Sequence, residues 1–275
     1  MATPYLFEDR EAEQRRLDAQ AQLLDPLTER VFRAAGLEPG MRVLDLGSGA
    51  GHVALLAGRL VGAEGHVVGV ERDPQAVTSA RERAAAAGVN SVEFVVGDVQ
   101  TLEGVDGTFD AVVGRLILMY LPDPAEALRR AASHLRPGGV VVAHEADLAY
   151  DWAAPQTELW GQVRGWFLQT LAAAHIEPRM GLRLYRCLVD AGLSAPTLTL
   201  ETAVVGGPEA PTWGWANLVR GIVPVMERLG VATAAEVDAD TLADRLLAEL
   251  RSEEGVVIAP PMVGAWARTG SSVRP

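Results

Sequence analysis

Between residues 41 and 147, short apolar runs alternate with stretches of helical periodicity, and this alternation constrains the fold more than any other feature. The pattern predicts strands at 41–46, 67–71, 92–97, 109–114 and 139–145, with helices at 53–61, 74–87 and 124–135. Near-continuous Val and Leu runs mark strands buried on both faces, and interleaved helices supply the cover. The expected architecture is therefore α/β, a parallel sheet layered on both sides. Asp73-Pro74 offers a helix cap and a first-turn proline, and Arg136-Pro137-Gly138-Gly139 stops a helix and turns the chain.

Outside that core, residues 8–35 carry Leu17, Leu24, Leu27 and Val31 at helical spacing, with Pro26 as a break or a new first turn. Beyond Asp147 the pattern predicts helices at 156–174, 181–191, 212–229 and 241–251, with a kink at Pro224. A strand is expected at 197–205 and a final one within 256–266. All six tryptophans lie between Trp152 and Trp266, as the wall of an apolar pocket or as the core of a helical cap. The expected organisation is an N-terminal helical cap or lid at 1–36, a binding core at 37–147, and a remainder at 148–275 holding two more strands and inserted substrate-cap helices.

Charge narrows the partners. The chain of 275 residues has 36 acidic against 24 basic side chains, a net charge of -12, so a broad basic face for nucleic acid or anionic membrane is not expected. Every basic residue is arginine, which excludes lysine chemistry. The single cysteine, Cys187, cannot form an intramolecular disulfide or a thiolate cluster. No signal-peptide pattern opens the chain and no run of ~18 apolar residues occurs, so a soluble, cytoplasmic, unprocessed protein is expected. Monomer and homodimer both remain open.

The first strand runs into Gly47-Ser48-Gly49-Ala50-Gly51, a turn that opens a helix. Glycines let a ligand lie against the backbone, and the N–H groups of the helix start favour its anionic part. A dinucleotide fingerprint requires a glycine where this chain has His52, which argues against a nicotinamide-dependent oxidoreductase.

With its motifs in order, the stretch 37–147 resembles the class I S-adenosylmethionine-dependent methyltransferases. LDLGSGAG matches the first motif, VVGVERD the second, VEFVVGDV the third, FDAVVGRLILMYLPDPAEALRRAASHLRPGG the fourth with its following helix, and VVVAHEAD the fifth strand. The resemblance implies a Rossmann-like seven-stranded sheet whose last strand is antiparallel, with helices on both faces and a helical cap. It also implies S-adenosyl-L-methionine as cofactor and S-adenosyl-L-homocysteine as product.

By the same resemblance, Gly47, Ser48, Gly49 and Gly51 cradle the cofactor, and Glu71, with Arg72 beside it, receives the ribose hydroxyls. Asp98 accepts from the adenine amino group, with the Val99 N–H facing the ring; a plain turn role for Asp98 is the alternative. Asp45 braces the turn and the methionyl ammonium, which the Gly114 carbonyl also receives. Arg16 and Gln20, one helical turn apart, are candidates for the methionyl carboxylate or form a solvated face. Arg115 is either a pocket-facing guanidinium or a surface ion pair.

Methyl transfer requires alignment, and a base only when the nucleophile carries a proton. The catalytic candidates are His144, Tyr150 and His175. His144 and its neighbour Glu145 face opposite ways if the strand persists, so they cannot share one pocket. The expected acceptor is a small, largely apolar molecule, enclosed by Tyr5, His144, Tyr150, Trp152 and the later helices, with the N-terminal helix as a lid. A protein of the same fold catalysing a cyclisation or rearrangement without methylation is the alternative. No metal is expected, because no histidine pair or acidic cluster has ligand spacing.

Overall fold

The computed structural model describes residues 10–206 and 214–270, so Tyr5 and Trp213 lie outside the described residues. The chain divides into two compact units, which interleave in sequence. One holds Gln20–Glu145, Met180–Leu200 and the described residues from Val263 on; the other holds the described residues of Met1–Ala19, Ala146–Arg179 and Glu201–Met262. The helix of the expected cap is therefore divided, and its second half belongs with the sheet.

The described chain begins with α1 (Arg10–Ala35) and continues β1 (Arg42–Leu46), α2 (His52–Val61), β2 (His66–Glu71), α3 (Pro74–Ala87), β3 (Val92–Val96), β4 (Phe109–Arg115), α4 (Pro124–Ser133) and β5 (Leu135–Ala146). Asp73-Pro74 caps α3 as expected, whereas Arg136-Pro137-Gly138-Gly139 does not stop a helix: α4 has ended at Ser133 and these residues lie inside β5. Asp73 accepts from the Gln75 N–H and Asp123 from the Glu126 N–H, and Gly88 ends α3 in a left-handed conformation.

The chain departs next into β6 (Ala153–Ala154) and α5 (Glu158–Ala173), then returns through α6 (Met180–Asp190) and β7 (Thr197–Glu201). After β8 (Val204–Gly206), α7 (Trp215–Arg228), α8 (Ala234–Val237), α9 (Leu242–Ser252) and β9 (Val256–Ile258), it ends in β10 (Met262–Arg268). The main sheet has seven strands in the order β3-β2-β1-β4-β5-β10-β7. β1 to β5 are parallel, and the last strand in sequence, β10, is antiparallel. Strand order reverses between β1 and β4, and open α/β sheets bind ligands outside the strand ends at such a switch point.

Val43, Ala111, Val113, Val140 and Val142 share one face of this sheet, buried against Val31, Phe32 and Ala35 of α1 and Val53, Ala54 and Ala57 of α2. α1 is thus a core helix over its second half.

Three further sequence expectations are corrected. Pro26, expected as a break or a new first turn, lies inside the continuous helix α1, and Gln22, whose carbonyl it leaves without its helical partner, is an exposed residue. The strand expected at 197–205 is two strands, β7 in the main sheet and β8 in another. The strand expected within 256–266 is also two, since Pro260 and Pro261 have no N–H to continue a ladder.

In the second unit β6, β9 and β8 form a small antiparallel sheet in that order. Trp152 and Trp215 stack at 3.8 Å with planes 7° apart, and Phe167 meets both edge-on. Trp160 is buried as well, its indole N–H donating to the Leu246 carbonyl. These three tryptophans are core, while Trp166 and Trp266 are half-buried. Among the described residues no helix is long and apolar enough to cross a membrane.

Candidate functional site at the strand ends

The three glycines after β1 do different things. All have positive φ, at +64°, +51° and +88° for Gly47, Gly49 and Gly51. A Cβ on Gly47 would stand 2.5 Å from the Ile117 side chain, and one on Gly51 would stand 2.9 Å from Phe94, so both permit close packing. A Cβ on Gly49 would meet nothing within 4 Å. The middle glycine thus faces open space at the switch point, where a ligand can lie against the backbone.

Glu71, at the end of β2, stands across this opening. Its Oε2 accepts from the Gly49 N–H and its Oε1 from the Asp73 N–H, both at 3.0 Å. Each carboxylate oxygen retains a lone pair for a further donor, as a pair of ribose hydroxyls requires. Arg72 beside it is exposed. Asp98 follows β3, with its Oδ1 accepting from the Gln100 N–H at 2.8 Å and its carbonyl from Thr101 and Leu102. It makes the turn, and its exposed carboxylate keeps a second oxygen. Val99 next to it is buried.

Asp45, Arg115 and His144 lie on the same face of β1, β4 and β5. The register pairs Asp45 with Val113, Leu46 with Gly114 and Arg115 with His144, so the alternation of the strands aligns them. Asp45 is 1% exposed, and among the described residues neither carboxylate oxygen has a hydrogen-bond partner. Burial pushes its pKa up to about 8, the Arg115 cation works against that rise, and the Glu71 charge adds to it. The Ser48 hydroxyl beside the turn is likewise buried without a partner.

Arg115 is not a surface group. Its Nη1 donates to Asp25 Oδ1 and to Thr28 Oγ1 of α1, both at 2.9 Å. Thr28 Oγ1 also lies 3.0 Å from His144 Nδ1 and donates to the Leu24 carbonyl at 2.9 Å. Burial, reinforced by the Arg115 cation, brings the His144 pKa down to about 3, so its ring is neutral at physiological pH.

Glu145 faces the other way, as strand alternation demands. Its Oε1 accepts from the N–H groups of Ile117 and Leu118, at 2.9 and 2.8 Å, and the His144 carbonyl accepts from Leu116. Leu116 sits at φ +53°, a costly conformation for a branched side chain, and these three bonds hold it. Glu145 thereby fixes the chain leaving β4 just after Gly114. Neither Glu145 nor Thr28 was expected from sequence; the signal for Thr28 is a hydroxyl on the apolar stripe formed by Leu24 and Val31.

Arg16 is paired to the buried Glu13 through Nε and Nη2 at 2.6 and 2.7 Å, and Gln20 is half-buried one turn on. Tyr150 and His175 belong to the second unit. The Tyr150 hydroxyl donates to the Ile258 carbonyl at 2.6 Å and burial raises its pKa, so it ties β9 to the segment after β5. His175 is exposed at a positive φ of 58°, just past the end of α5. Of the three catalytic candidates, His144 is the one held at a strand end beside the glycine turn's own sheet.

Residues 37–192 match the family described as "Methyltransferase domain". The chain belongs to that methyltransferase family. Among curated relatives, an arsenite methyltransferase of Halobacterium salinarum is 37% identical over 107 residues, 39% of this chain and 27% of that protein. An arsenite methyltransferase of Aquipseudomonas alcaligenes is 33% identical over 171 residues, 58% of this chain and 49% of that protein. The aklanonic acid methyltransferase of Streptomyces sp. (strain C5) is 32% identical over 118 residues, covering 43% and 54%. The chain thus spans about a quarter to a half of these relatives' lengths. A phosphoethanolamine N-methyltransferase 2 structure from Haemonchus contortus superposes with a TM-score of 0.54 at 17% identity, over 88% of this chain and 52% of that one. That likeness concerns the fold.

The residues of this chain fit S-adenosylmethionine on their own terms. Gly49 leaves a cradle that any Cβ would fill, Glu71 offers two acceptor oxygens, and Asp45 is a buried carboxylate with no partner, as a ligand ammonium needs. Among the described residues no group of three or more His, Cys, Asp or Glu side chains comes together to hold a metal.

Proposed function

We propose that this methyltransferase moves a methyl group from S-adenosylmethionine to a hydroxyl or amino group of a small organic molecule. The observation that carries the reading is the open Gly49 backbone flanked by the carboxylates of Glu71 and Asp45. Glu71 takes the ribose, Asp98 and the Val99 N–H the adenine, and Asp45 with the Gly114 carbonyl the ammonium. Gln20 is assigned to the methionyl carboxylate, and Arg115 acts through Thr28 and Asp25 rather than by touching ligand.

The cofactor supplies a methyl on a sulfonium, an electrophile that needs no metal-like activation by the protein. The protein's task is alignment, to which proximity contributes most. His144 accepts the hydrogen bond of the acceptor's O–H or N–H. Bound S-adenosylmethionine would give up its methyl and leave as the neutral thioether S-adenosylhomocysteine, and His144 Nε2 would take the acceptor's proton and release it as the product leaves. A ring of pKa about 3 suffices, because an alkylated hydroxyl is a strong acid once the bond has formed.

Arsenite, the substrate named for two relatives, is a poor match for this chain's donors. A trivalent arsenic centre is thiophilic, and Cys187 is the chain's one cysteine, with burial pushing its thiol pKa up. Nor do the buried tryptophans support an apolar pocket wall. The test is mass spectrometry of reactions with S-adenosylmethionine and a panel of phenols and amines. The reading expects S-adenosylhomocysteine and a singly methylated phenol or amine; methylation of arsenite alone would overturn it.

A further inference from the structure

The hydroxyl of Thr28 lies where three groups converge on one oxygen. Arg115 Nη1 reaches it at 2.9 Å, the Leu24 carbonyl lies at 2.9 Å, and His144 Nδ1 at 3.0 Å. The proton count decides their roles. Arg115 only donates, and the Leu24 carbonyl only accepts. Threonine has one proton and two lone pairs.

If the Thr28 proton goes to Leu24, the two lone pairs receive Arg115 and a protonated His144 Nδ1, and all three contacts are hydrogen bonds. If it goes instead to a bare Nδ1, the Leu24 contact is lost and one lone pair is idle. The site is buried, with Thr28 at 0% and His144 at 1% exposure, and buried polar groups favour the arrangement that leaves fewest unmade bonds. Asp25, which takes the other Nη1 proton of Arg115 at 2.9 Å, holds the guanidinium in place.

We propose that Thr28 is a positioning residue that locks His144 as the Nδ1–H tautomer and so presents Nε2 as a bare hydrogen-bond acceptor. At Nε2 the described residues supply no partner. The inference rests on the proposed methyl transfer for its purpose, and it deepens that reading. A bare Nε2 selects an acceptor that brings a proton, a hydroxyl or an amine, and gives nothing to a nucleophile without one. The opposite tautomer would present an N–H and select a substrate carbonyl or other acceptor instead.

The experiment is nitrogen-15 NMR of the histidine rings in the full chain, recorded for the wild type, Thr28→Ser and Thr28→Val, with His144 assigned by its absence in His144→Asn. The wild type and Thr28→Ser are expected to show a protonated Nδ1 and an unprotonated Nε2. Thr28→Val, whose fold is checked by circular dichroism, should lose that preference and give the Nε2–H form or a mixture. A protonated Nε2 in the wild type overturns the proposal, as does a Thr28→Val spectrum identical to wild type. If Thr28→Val does not fold, the wild-type and Thr28→Ser spectra decide. These spectra need no substrate, so a failure to bind S-adenosylmethionine would sink the functional reading while leaving the tautomer to stand or fall separately.

Discussion

Glu145 and Ile117 are joined across two strand ends: one carboxylate oxygen takes the Ile117 N–H at 2.9 Å and the next N–H, of Leu118, at 2.8 Å. The other oxygen is buried without a partner, and burial pushes the carboxyl pKa up to about 7. A half-neutral acid that serves mainly as an acceptor is closely imitated by an amide. Glu145→Gln should therefore cost less than about 1 kcal/mol, whereas Glu145→Ala, which strands two buried donors and releases Leu116, should cost about 2–4 kcal/mol. Urea denaturation measures both; equal losses would show that the clamp is unimportant.

The glycine turn makes a second, internal comparison. Positive φ strains an alanine at either Gly47 or Gly49 by about 1 kcal/mol. Only at Gly47 does the added carbon collide with a neighbour, Ile117, at 2.5 Å. Gly47→Ala should lower the melting temperature well below that of Gly49→Ala. Gly49→Val should fold and lose cofactor binding, because its side chain enters the open cradle. Normal binding by that variant would reduce the glycines to a structural turn.

Buried ionisable groups give the free protein opposed pH dependences. Asp45, with its folded pKa raised from 3.8 to about 8, contributes stability that is full below the unfolded value and lost as pH rises toward 8. His144, lowered from 6.5 to about 3, has the opposite sign: its contribution is full above 6.5 and lost as pH falls toward 3. Asp45→Asn should then stabilise the ligand-free protein more at pH 8 than at pH 5, by on the order of 1–3 kcal/mol at pH 8, while weakening S-adenosylmethionine binding. Denaturation curves at the two pH values check it, and a larger gain at pH 5 would contradict the assignment.

Much of the sheet could be read directly, because valine runs, Asp-Pro caps and glycine turns are local signals. What could not be read arises over distance or from context. Thr28, Asp25, Arg115 and His144 meet only when α1 folds onto the sheet, and no local pattern links positions 25 and 28 to 115 and 144. Glu145 was set aside by strand alternation, which rightly turned it away from His144 but said nothing of the loop it holds. Pro26 read as a break or a new first turn because sequence does not show that Gln22 is exposed. The tryptophans, read evenly between pocket and core, are core at Trp152, Trp160 and Trp215, where a small helical unit needs bulky rings to bury enough area.

The account rests most heavily on the Glu71 carboxylate as the ribose acceptor, since it stands 3.0 Å from the one turn residue that faces open space. Isothermal titration of the wild type and Glu71→Ala with S-adenosylmethionine tests it most directly. The wild type should bind, and Glu71→Ala, losing two charge-assisted hydrogen bonds, should bind weaker by about 2–3 kcal/mol, a factor of roughly 30–150 in Kd. Wild-type protein that takes up no S-adenosylmethionine, or a Glu71→Ala variant with unchanged affinity, would contradict the site described here.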